Sequence, residues 1–206
     1  FEYCSNGGQW SWTKSICSTP KFFNFLLENN FLGDKTGKGF YQKTKQKDEN
    51  GRTIINALDL KTLEYRKSVR PKISLIKEAK GIEKIDKRFQ LLISKDEKES
   101  LFLKEYFAAI LSYSAERIPE ISDNCYQLDD AMRAGYVWDY GPFQYWDLIG
   151  FDKGISLINE CGETLPKWIN DMKASGANCF YKYENGEKKY YDLSTHSYKK
   201  IPGSDA

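Results

Sequence analysis

The sequence predicts a mainly α-helical protein that contains an internal duplication, with a short β-hairpin closing each copy. Three observations predict this class: apolar residues at helical spacing, prolines and glycines at the expected helix boundaries, and a repeated order of landmark residues. The chain has 206 residues, of which 40% are hydrophobic and 15% aromatic. This length and composition are sufficient for one substantial core or two small ones.

The duplication relates a segment that starts at Pro20 to a segment that starts at Pro166. Each copy runs Pro-Lys-aromatic, a short helix, Phe-Tyr, Glu-Asn-Gly, then Asp-Leu-x-Thr-x-x-Tyr and a closing proline. The matched residues are Phe40-Tyr41 with Phe180-Tyr181, Glu49-Asn50-Gly51 with Glu184-Asn185-Gly186, and Asp59, Thr62, Tyr65 and Pro71 with Asp192, Thr195, Tyr198 and Pro202.

Each copy therefore predicts a helix followed by two strands. In the first copy the helix covers residues 20–32 and ends near Gly33, because glycine commonly follows the last helical turn. In the second copy Pro166 opens the helix. The Asn-Gly pairs at 50–51 and 185–186 predict the hairpin turns, since this dipeptide is the strongest short-range hairpin signal.

The region between the copies is predicted to be helical. Residues 101–118 carry an apolar face, Pro119 starts a second helix that ends at Gly135, and Pro142 starts a third that ends at Gly150. Residues 72–92 are also compatible with a helix, and the joint between subdomains is expected near 86–100. The predicted division is 1–71 for the first copy, 72–100 for a connecting segment and 101–206 for the second copy.

Charge argues against a nucleic-acid partner. The 31 basic and 29 acidic residues give a net charge of +2 and are interspersed along the chain. The densest positive run, Lys43, Lys45 and Lys47, is interpreted as a solvated loop, with phosphate contact as the less favoured alternative. No apolar run approaches the length needed to cross a bilayer.

The cysteines and the single histidine argue against a zinc site. The five cysteines include no CxxC pair, and His196 is the one histidine. An odd number of cysteines indicates reduced thiols and a cytoplasmic location. The chain begins without methionine or a signal pattern, so we expect it to be part of a longer protein.

The glycine-rich stretch 33–41 does not fit a Walker A loop. Only three residues separate Gly33 from Gly37-Lys38, and the next residue, Gly39, lacks the hydroxyl that would bind magnesium. A phosphate-binding loop remains an alternative, and it predicts that Lys38→Ala weakens nucleotide binding. For Lys35 a role at the helix C-terminus is favoured over contact with a phosphate.

Two motifs resemble signatures of the C-terminal domain of 3-hydroxyacyl-CoA dehydrogenases. The opening signature, D-x-A-M-x-x-G followed by G-P-F and D-x-x-G, matches residues 129–150. The closing signature, G-x-K-T-G-x-G-F-Y, matches residues 33–41. Because the closing signature comes first, the chain resembles the end of one such domain followed by a nearly complete second one. The matching residues are Asp129 or Asp130, Ala131, Met132, Gly135, Gly141, Pro142, Phe143, Asp147, Gly150, Gly33, Lys35, Thr36, Gly37, Gly39, Phe40 and Tyr41.

This resemblance implies tandem helical domains like the C-terminal domain of 6-phosphogluconate dehydrogenase, in a fatty-acid β-oxidation enzyme. It implies that an upstream domain, absent from this chain, binds NAD, and that the substrate is an acyl-CoA. Further implied partners are a fused enoyl-CoA hydratase domain and a second copy in a homodimer. The family's histidine, glutamate and glycine-rich loop are expected upstream, so no catalytic, cofactor-binding or metal-binding residue is expected in this chain.

Six residues are candidates for substrate or interface contact: Lys35, Tyr140, Gly141, Pro142, Phe143 and Trp146. The aromatic ones belong to a cluster for which core packing is favoured over an acyl pocket or a subunit contact. Asp129 and Asp130 could be paired acid and base, but capping or solvation is favoured because neighbours on a helix point apart. His196 is interpreted as an exposed or partly packed residue of a terminal strand or turn.

Two hypotheses for function remain. The first is that the chain is the C-terminal region of an NAD-dependent 3-hydroxyacyl-CoA dehydrogenase, which completes the acyl-CoA cleft and holds domains or subunits together. The second is a non-catalytic helical interaction module derived from this scaffold. It is suggested by the absence of a family asparagine from residues 101–120 and by the altered loop of the second copy.

Overall fold

A computed structural model of the chain describes residues 19–69 and 71–203. Two of the five cysteines, Cys4 and Cys17, and the tryptophans Trp10 and Trp12 lie outside this range. The chain divides into two compact units, residues 1–72 and 73–206. Each unit contains one copy of the duplicated segment, and each is described separately.

The first unit contains one helix and one antiparallel sheet within the described residues. Helix α1 spans Lys21–Glu28 and is shorter than predicted, because Asn29 and Asn30 end it before Gly33. Strands β1 (Tyr41–Lys47), β2 (Thr53–Leu58) and β3 (Tyr65–Lys67) pair in the order β1-β2-β3. The predicted hairpin is confirmed, and β3 is an addition to it.

The second unit begins with two short helices, α2 (Ser74–Lys80) and α3 (Ile85–Leu92). Helix α4 spans Lys98–Glu116 and buries one face that includes Phe107 and Leu111. Helix α5 spans Cys125–Tyr136, so the predicted start at Pro119 is wrong. Residues 117–121 form turns, and the extended backbone of Asn124 marks the true start of the helix.

Three further helices complete the helical part of the second unit, and a three-stranded sheet follows. Helix α6 (Pro142–Ile149) has the predicted boundaries, and α8 spans Lys167–Ala174 after Pro166. Helix α7 (Phe151–Glu160) was not predicted, because Gly150 was expected only to end a helix. Gly150, at φ 104°, instead turns the chain directly from α6 into α7. The sheet consists of β4 (Tyr181–Glu184), β5 (Glu187–Asp192) and β6 (Ser197–Lys200).

The core of the second unit lies between its helices and sheet. Phe143, Trp146 and Ile149 from α6 are fully buried, as is Ile158 from α7. Phe180, immediately before β4, packs against Phe143 and Trp146. Helices are thus the main component of the described structure, as predicted, with two small antiparallel sheets.

Candidate functional site

The buried centre of the opening signature is the carboxylate of Asp129. From α5 it accepts the backbone N–H of Phe143 at 2.9 Å and that of Gln144 at 3.0 Å. These N–H groups belong to the first turn of α6, where no intrahelical acceptor is available. Asp129 therefore caps a neighbouring helix, and its negative charge faces the positive end of that helix dipole. The capping interpretation of this residue is confirmed.

Gly141 allows this close approach of α5 to α6. A Cβ atom at this position would lie 2.4 Å from the Cα, Cβ and Cγ atoms of Asp129. The side chain of Gln144 accepts the backbone N–H of Gly141 at 2.9 Å and completes the helix start. The G-P-F motif thus places a residue without a side chain directly beside the capping carboxylate.

A second carboxylate, Asp147, joins α6 to the sheet. Its two oxygens accept the backbone N–H groups of Phe180 and Tyr181, each at 2.8 Å. The Tyr181 hydroxyl donates to Asp129 at 2.7 Å. Asp129, Asp147 and Tyr181 therefore form a single network, which we call the carboxylate anchor, and it connects α5, α6 and β4.

Burial dominates the electrostatics of the carboxylate anchor. It raises the pKa of Asp129 to about 7 and that of Asp147 to about 7, although the donated hydrogen bonds act in the opposite direction. Burial also raises the pKa of Tyr181 above its ordinary value and lowers that of Lys188, whose Nζ lies 4.4 Å from the Tyr181 ring centroid. Because both carboxylates accept two backbone N–H groups, this arrangement holds elements together rather than offering a free base.

The aromatic side chains of α6 form core contacts. Phe143 and Trp146 are both 0% exposed, and Trp146 Nε1 donates to the carbonyl of Phe151 at 3.0 Å. A Cβ at Gly154 would lie 2.0 Å from Trp146 Nε1, so α7 also depends on a glycine for close packing. The core-packing interpretation of these aromatic residues is confirmed.

The structure brings five of the six candidate contact residues together at the start of α6. Gly141, Pro142, Phe143 and Trp146 are buried, and Tyr140 is half-buried, with its ring 5.8 Å from that of Tyr145. Lys35 is exposed in a turn of the first unit. Its predicted position at a helix C-terminus is wrong, because α1 ends at Glu28 and has no basic residue in its last turn. Substrate or interface contact by the six residues stays a prediction.

His196 lies in the turn between β5 and β6. Its Nδ1 is 3.3 Å from the hydroxyl of Tyr191, and the residue is exposed, as expected. Within residues 19–69 and 71–203 it forms no ion pair that would orient the imidazole as a base. Its backbone φ is 50°, and Leu63, its counterpart in the first copy, has φ 62°. The position is therefore a turn residue common to both copies.

The glycine-rich stretch of the first unit is a closed turn. The backbone N–H groups of Gly33, Thr36, Gly37 and Lys38 all donate within the stretch 33–38. The Nζ of Lys38 lies 4.2 Å from the Phe31 ring centroid and 4.4 Å from that of Tyr65. These N–H groups are therefore not available to a phosphate.

Lys43, Lys45 and Lys47 are exposed, but they do not form the predicted loop. All three lie in β1, in which Lys43 pairs with Ile55 and Lys47 pairs with Thr53. The polar composition of this strand concealed it, because few of its residues favour strands on their own. This segment forms a strand because it pairs with the more apolar strand β2.

Sequence reasoning missed the roles of Asp147 and of two matched tyrosines. Tyr198 donates to the carbonyl of Cys179 at 2.6 Å, and Tyr65 donates to the carbonyl of Gly39 in the same way. Asp147 belonged to the recognised signature, and both tyrosines belonged to the repeat. Their places in the signature and in the repeat were visible in the sequence. The backbone groups to which they hydrogen-bond could be identified only from the folded structure.

Neither a metal centre nor a membrane span is found among the described residues. No group of His, Cys, Asp and Glu side chains there is arranged to hold a metal ion. No described helix combines the length and apolar character that a bilayer crossing needs. Cys125, Cys161 and Cys179 are free thiols, and burial raises the pKa of each.

Three curated proteins show what the sequence is related to. A Bacillus subtilis (strain 168) protein named as a 3-hydroxyacyl-CoA dehydrogenase is 35% identical over 179 residues, which cover 87% of this chain and 22% of the relative. The chain is homologous to part of this dehydrogenase. The resemblance found in the two signatures is thereby confirmed.

The other two relatives carry the name fatty acid oxidation complex trifunctional enzyme. The Rickettsia prowazekii (strain Madrid E) protein is 27% identical over 75% of this chain and 20% of its own length. The Rickettsia felis (strain ATCC VR-1525 / URRWXCal2) protein is 28% identical over 70% of this chain and 18% of its own length. The chain thus spans about a fifth of the length of these relatives. No protein-family profile and no solved structure matches it.

Proposed function

We propose that the chain is the C-terminal helical region of an NAD-dependent 3-hydroxyacyl-CoA dehydrogenase that acts in fatty-acid oxidation in the cytoplasm. Its role is to complete the acyl-CoA cleft and to hold domains or subunits of the enzyme together. The observation that carries the proposal is the 35% identity with the Bacillus subtilis protein over most of the chain. The tandem 6-phosphogluconate dehydrogenase-like arrangement belongs to the same proposal.

The carboxylate anchor supports a structural role for this region. The signature residues Asp129, Gly141 and Asp147 are committed to helix capping, close packing and strand attachment. Such residues fix the geometry of a surface without taking part in a reaction. NAD binding and proton transfer are therefore assigned to an upstream domain. A fused hydratase domain agrees with the name trifunctional enzyme that two relatives carry, and a homodimer is a further part of the proposal.

The test is NADH oxidation with acetoacetyl-CoA, which reverses the proposed reaction. The 206-residue chain is compared with the longest native chain that contains it, at equal molar concentration. We expect activity only in the longer chain. Activity of the 206-residue chain alone would contradict the assignment of the chemistry to another domain.

The alternative is a non-catalytic interaction module derived from the same scaffold. It is favoured by the exposed position of His196, which forms no ion pair among the described residues. It is also favoured by the buried Asp129 and Asp147 carboxylates, each of which accepts two backbone N–H groups. This alternative expects no acetoacetyl-CoA-dependent oxidation of NADH by any native chain that contains the segment. The same assay therefore separates the two candidates.

A further inference from the structure

The first unit contains an open cavity of about 1140 Å³ beside its sheet. Cationic side chains that line it come from three strands or their ends: Lys43, Arg52 and Lys67. Exposed apolar or aromatic side chains line the same space: Phe40 at 43%, Tyr41 at 65% and Ile55 at 42% exposed. The cavity thus combines positive charge with accessible ring surface.

The positive charge of this cavity is partly compensated, because the carboxylates of Asp34 and Asp48 line it beside the three cationic side chains. Arg52 and Lys67 form no ion pair within the part of the chain that the structure describes. Lys43 reaches Asp34 at 3.4 Å, but the two side chains are 72% and 96% exposed, and such a pair contributes little free energy. Asp48 also lines the cavity, although its Oδ1 already accepts the N–H groups of Asn50 and Arg52.

The second sheet, built from the same repeat, lacks this combination. Four of its five lysines pair with acidic neighbours: Lys182 and Lys189 with Glu184, Lys199 with Asp192 and Lys200 with Glu187. The fifth, Lys188, is half-buried with its Nζ 4.4 Å from the Tyr181 ring centroid. Phe180, the counterpart of Phe40, is only 1% exposed. Tyr183 of the second sheet is 73% exposed, so the first copy is distinguished by the exposed ring of Phe40 beside cationic side chains that have few ion pairs.

We propose that this cavity binds a nucleotide that carries clustered phosphate groups. Lysine and arginine side chains bind phosphate oxygens through charge-assisted hydrogen bonds, and exposed aromatic rings stack on bases. The identity of the ligand rests on the proposed function: it is the adenosine 3′,5′-bisphosphate end of the CoA thioester. The open shape of the cavity suits a ligand of which one end projects toward another part of the enzyme.

Isothermal titration calorimetry of the 206-residue chain with adenosine 3′,5′-bisphosphate tests this proposal. The double variant Lys43→Gln, Arg52→Gln removes two of the lining charges without touching a buried residue. Its matched control, Lys80→Gln, Lys84→Gln, removes two exposed charges elsewhere. We expect the dissociation constant to rise at least tenfold in the first variant and to change less than twofold in the control. Lys67→Gln provides an independent single-site variant.

Three calorimetric results would each overturn the proposal. The first is that the bisphosphate does not bind, and the second is that both double variants lose the same amount of affinity. The third is that pyrophosphate binds as tightly as the nucleotide, because the aromatic rings would then hold no base. A vesicle experiment gives a further test. If the nucleotide fails to bind but the chain is retained on vesicles of phosphatidylserine and phosphatidylcholine, and Lys43→Gln, Arg52→Gln abolishes this retention, the surface binds lipid headgroups and the proposal is also overturned.

The acetoacetyl-CoA assay separates failure of this inference from failure of the proposed function. If the longer native chain is active and its KM for acetoacetyl-CoA is unchanged by Lys43→Gln, Arg52→Gln, the cavity assignment is wrong and the function stands. If that chain is inactive but the bisphosphate binds and the variant weakens binding, the nucleotide cavity stands and the dehydrogenase proposal fails.

Discussion

The two sheets of this protein share their local hydrogen bonds but differ in their surroundings. In each sheet a tyrosine hydroxyl, of Tyr65 or Tyr198, donates to the carbonyl that precedes the Phe-Tyr pair. In each an aspartate turn is held by a cation, with Arg66 3.1 Å from Asp59 and Lys199 3.1 Å from Asp192. The repeated sequence therefore forms the same local hydrogen bonds and ion pair in both copies.

Burial distinguishes the two copies. In the second sheet Phe180, Tyr190 and Tyr191 are buried, and Asp147 binds the start of β4. In the first sheet Leu58 is buried, but Phe40 and Tyr41 are 43% and 65% exposed. Equivalent residues of a duplication can therefore pack in the core of one copy and remain exposed for binding in the other.

The largest expected effect separates the two phenylalanines. Phe180→Ala removes a ring that lies 4.9 Å from the Phe143 centroid and 5.2 Å from that of Trp146, and we expect a loss of about 3–5 kcal/mol. Phe40→Ala should cost less, about 1–2 kcal/mol, because this ring is 43% exposed and meets the Phe22 ring edge-on, with 6.0 Å between the centroids. Hydrogen exchange of peptides from each unit, measured as a function of urea concentration, gives the free energy of unfolding of each unit in both variants. Equal losses of free energy in the two variants would contradict the difference in burial.

The carboxylate anchor should give the next largest effect. Asp147→Asn places an amide N–H opposite the N–H of Phe180 or Tyr181, so one buried donor loses its acceptor, and we expect a loss of about 2 kcal/mol. Asp130→Asn is the control, since Asp130 is exposed and its ion pair with Arg133, at 3.3 Å, lies at the surface. Urea denaturation at pH 7.5 compares the two variants. An effect of Asp130→Asn as large as that of Asp147→Asn would contradict the anchor.

Stability of the second unit should fall as pH rises from about 4 to about 7. Asp129 and Asp147 have folded pKa values of about 7 against an ordinary value of 3.8, so the folded state binds more protons between these values. Their favourable contribution is complete below pH 4 and is lost as pH rises through 7. We expect a decrease of at least about 1 kcal/mol across this window.

The first unit provides the contrast for this pH dependence. Hydrogen bonds from the N–H groups of Lys61 and Thr62 lower the pKa of Asp59, so its contribution is present above pH 4 and is lost as pH falls. Hydrogen exchange measured at pH 4.5 and pH 7.5 separates the two units. A second unit that gains protection at the higher pH would contradict the expected sign.

The smallest effect tests what the two sheets share. Tyr198→Phe and Tyr65→Phe each remove one hydroxyl that donates to a backbone carbonyl, and we expect a loss of about 1 kcal/mol in each case. Similar values would confirm that the local structure of the repeat is independent of its surroundings. A loss confined to Tyr198→Phe, measured by the same denaturation, would show that burial decides even these bonds.

The sequence was sufficient for helix α6, which begins at Pro142 and is followed by Gly150, but the same proline signal at Pro119 gave a wrong helix start. Pro142 and Gly150 mark the ends of α6 because proline is preorganised for the first helical turn and glycine accepts the positive φ that follows the last one. The Asn-Gly pairs predicted both hairpins because glycine also accepts the positive φ of the hairpin turn, as Gly51 and Gly186 do. The duplication and the family signatures likewise required no structure.

Only the tertiary structure decided the remaining features, because they depend on groups far apart in the chain. Lys43 lies in a strand because β2 pairs with it, and α7 begins immediately after Gly150 because Phe151 and Ile158 reach the core. Asp129 and Asp147 act on N–H groups 14 and 33 residues away. Local preferences set where helices and turns begin, but long-range burial and hydrogen bonding determined which copy packs and which remains open.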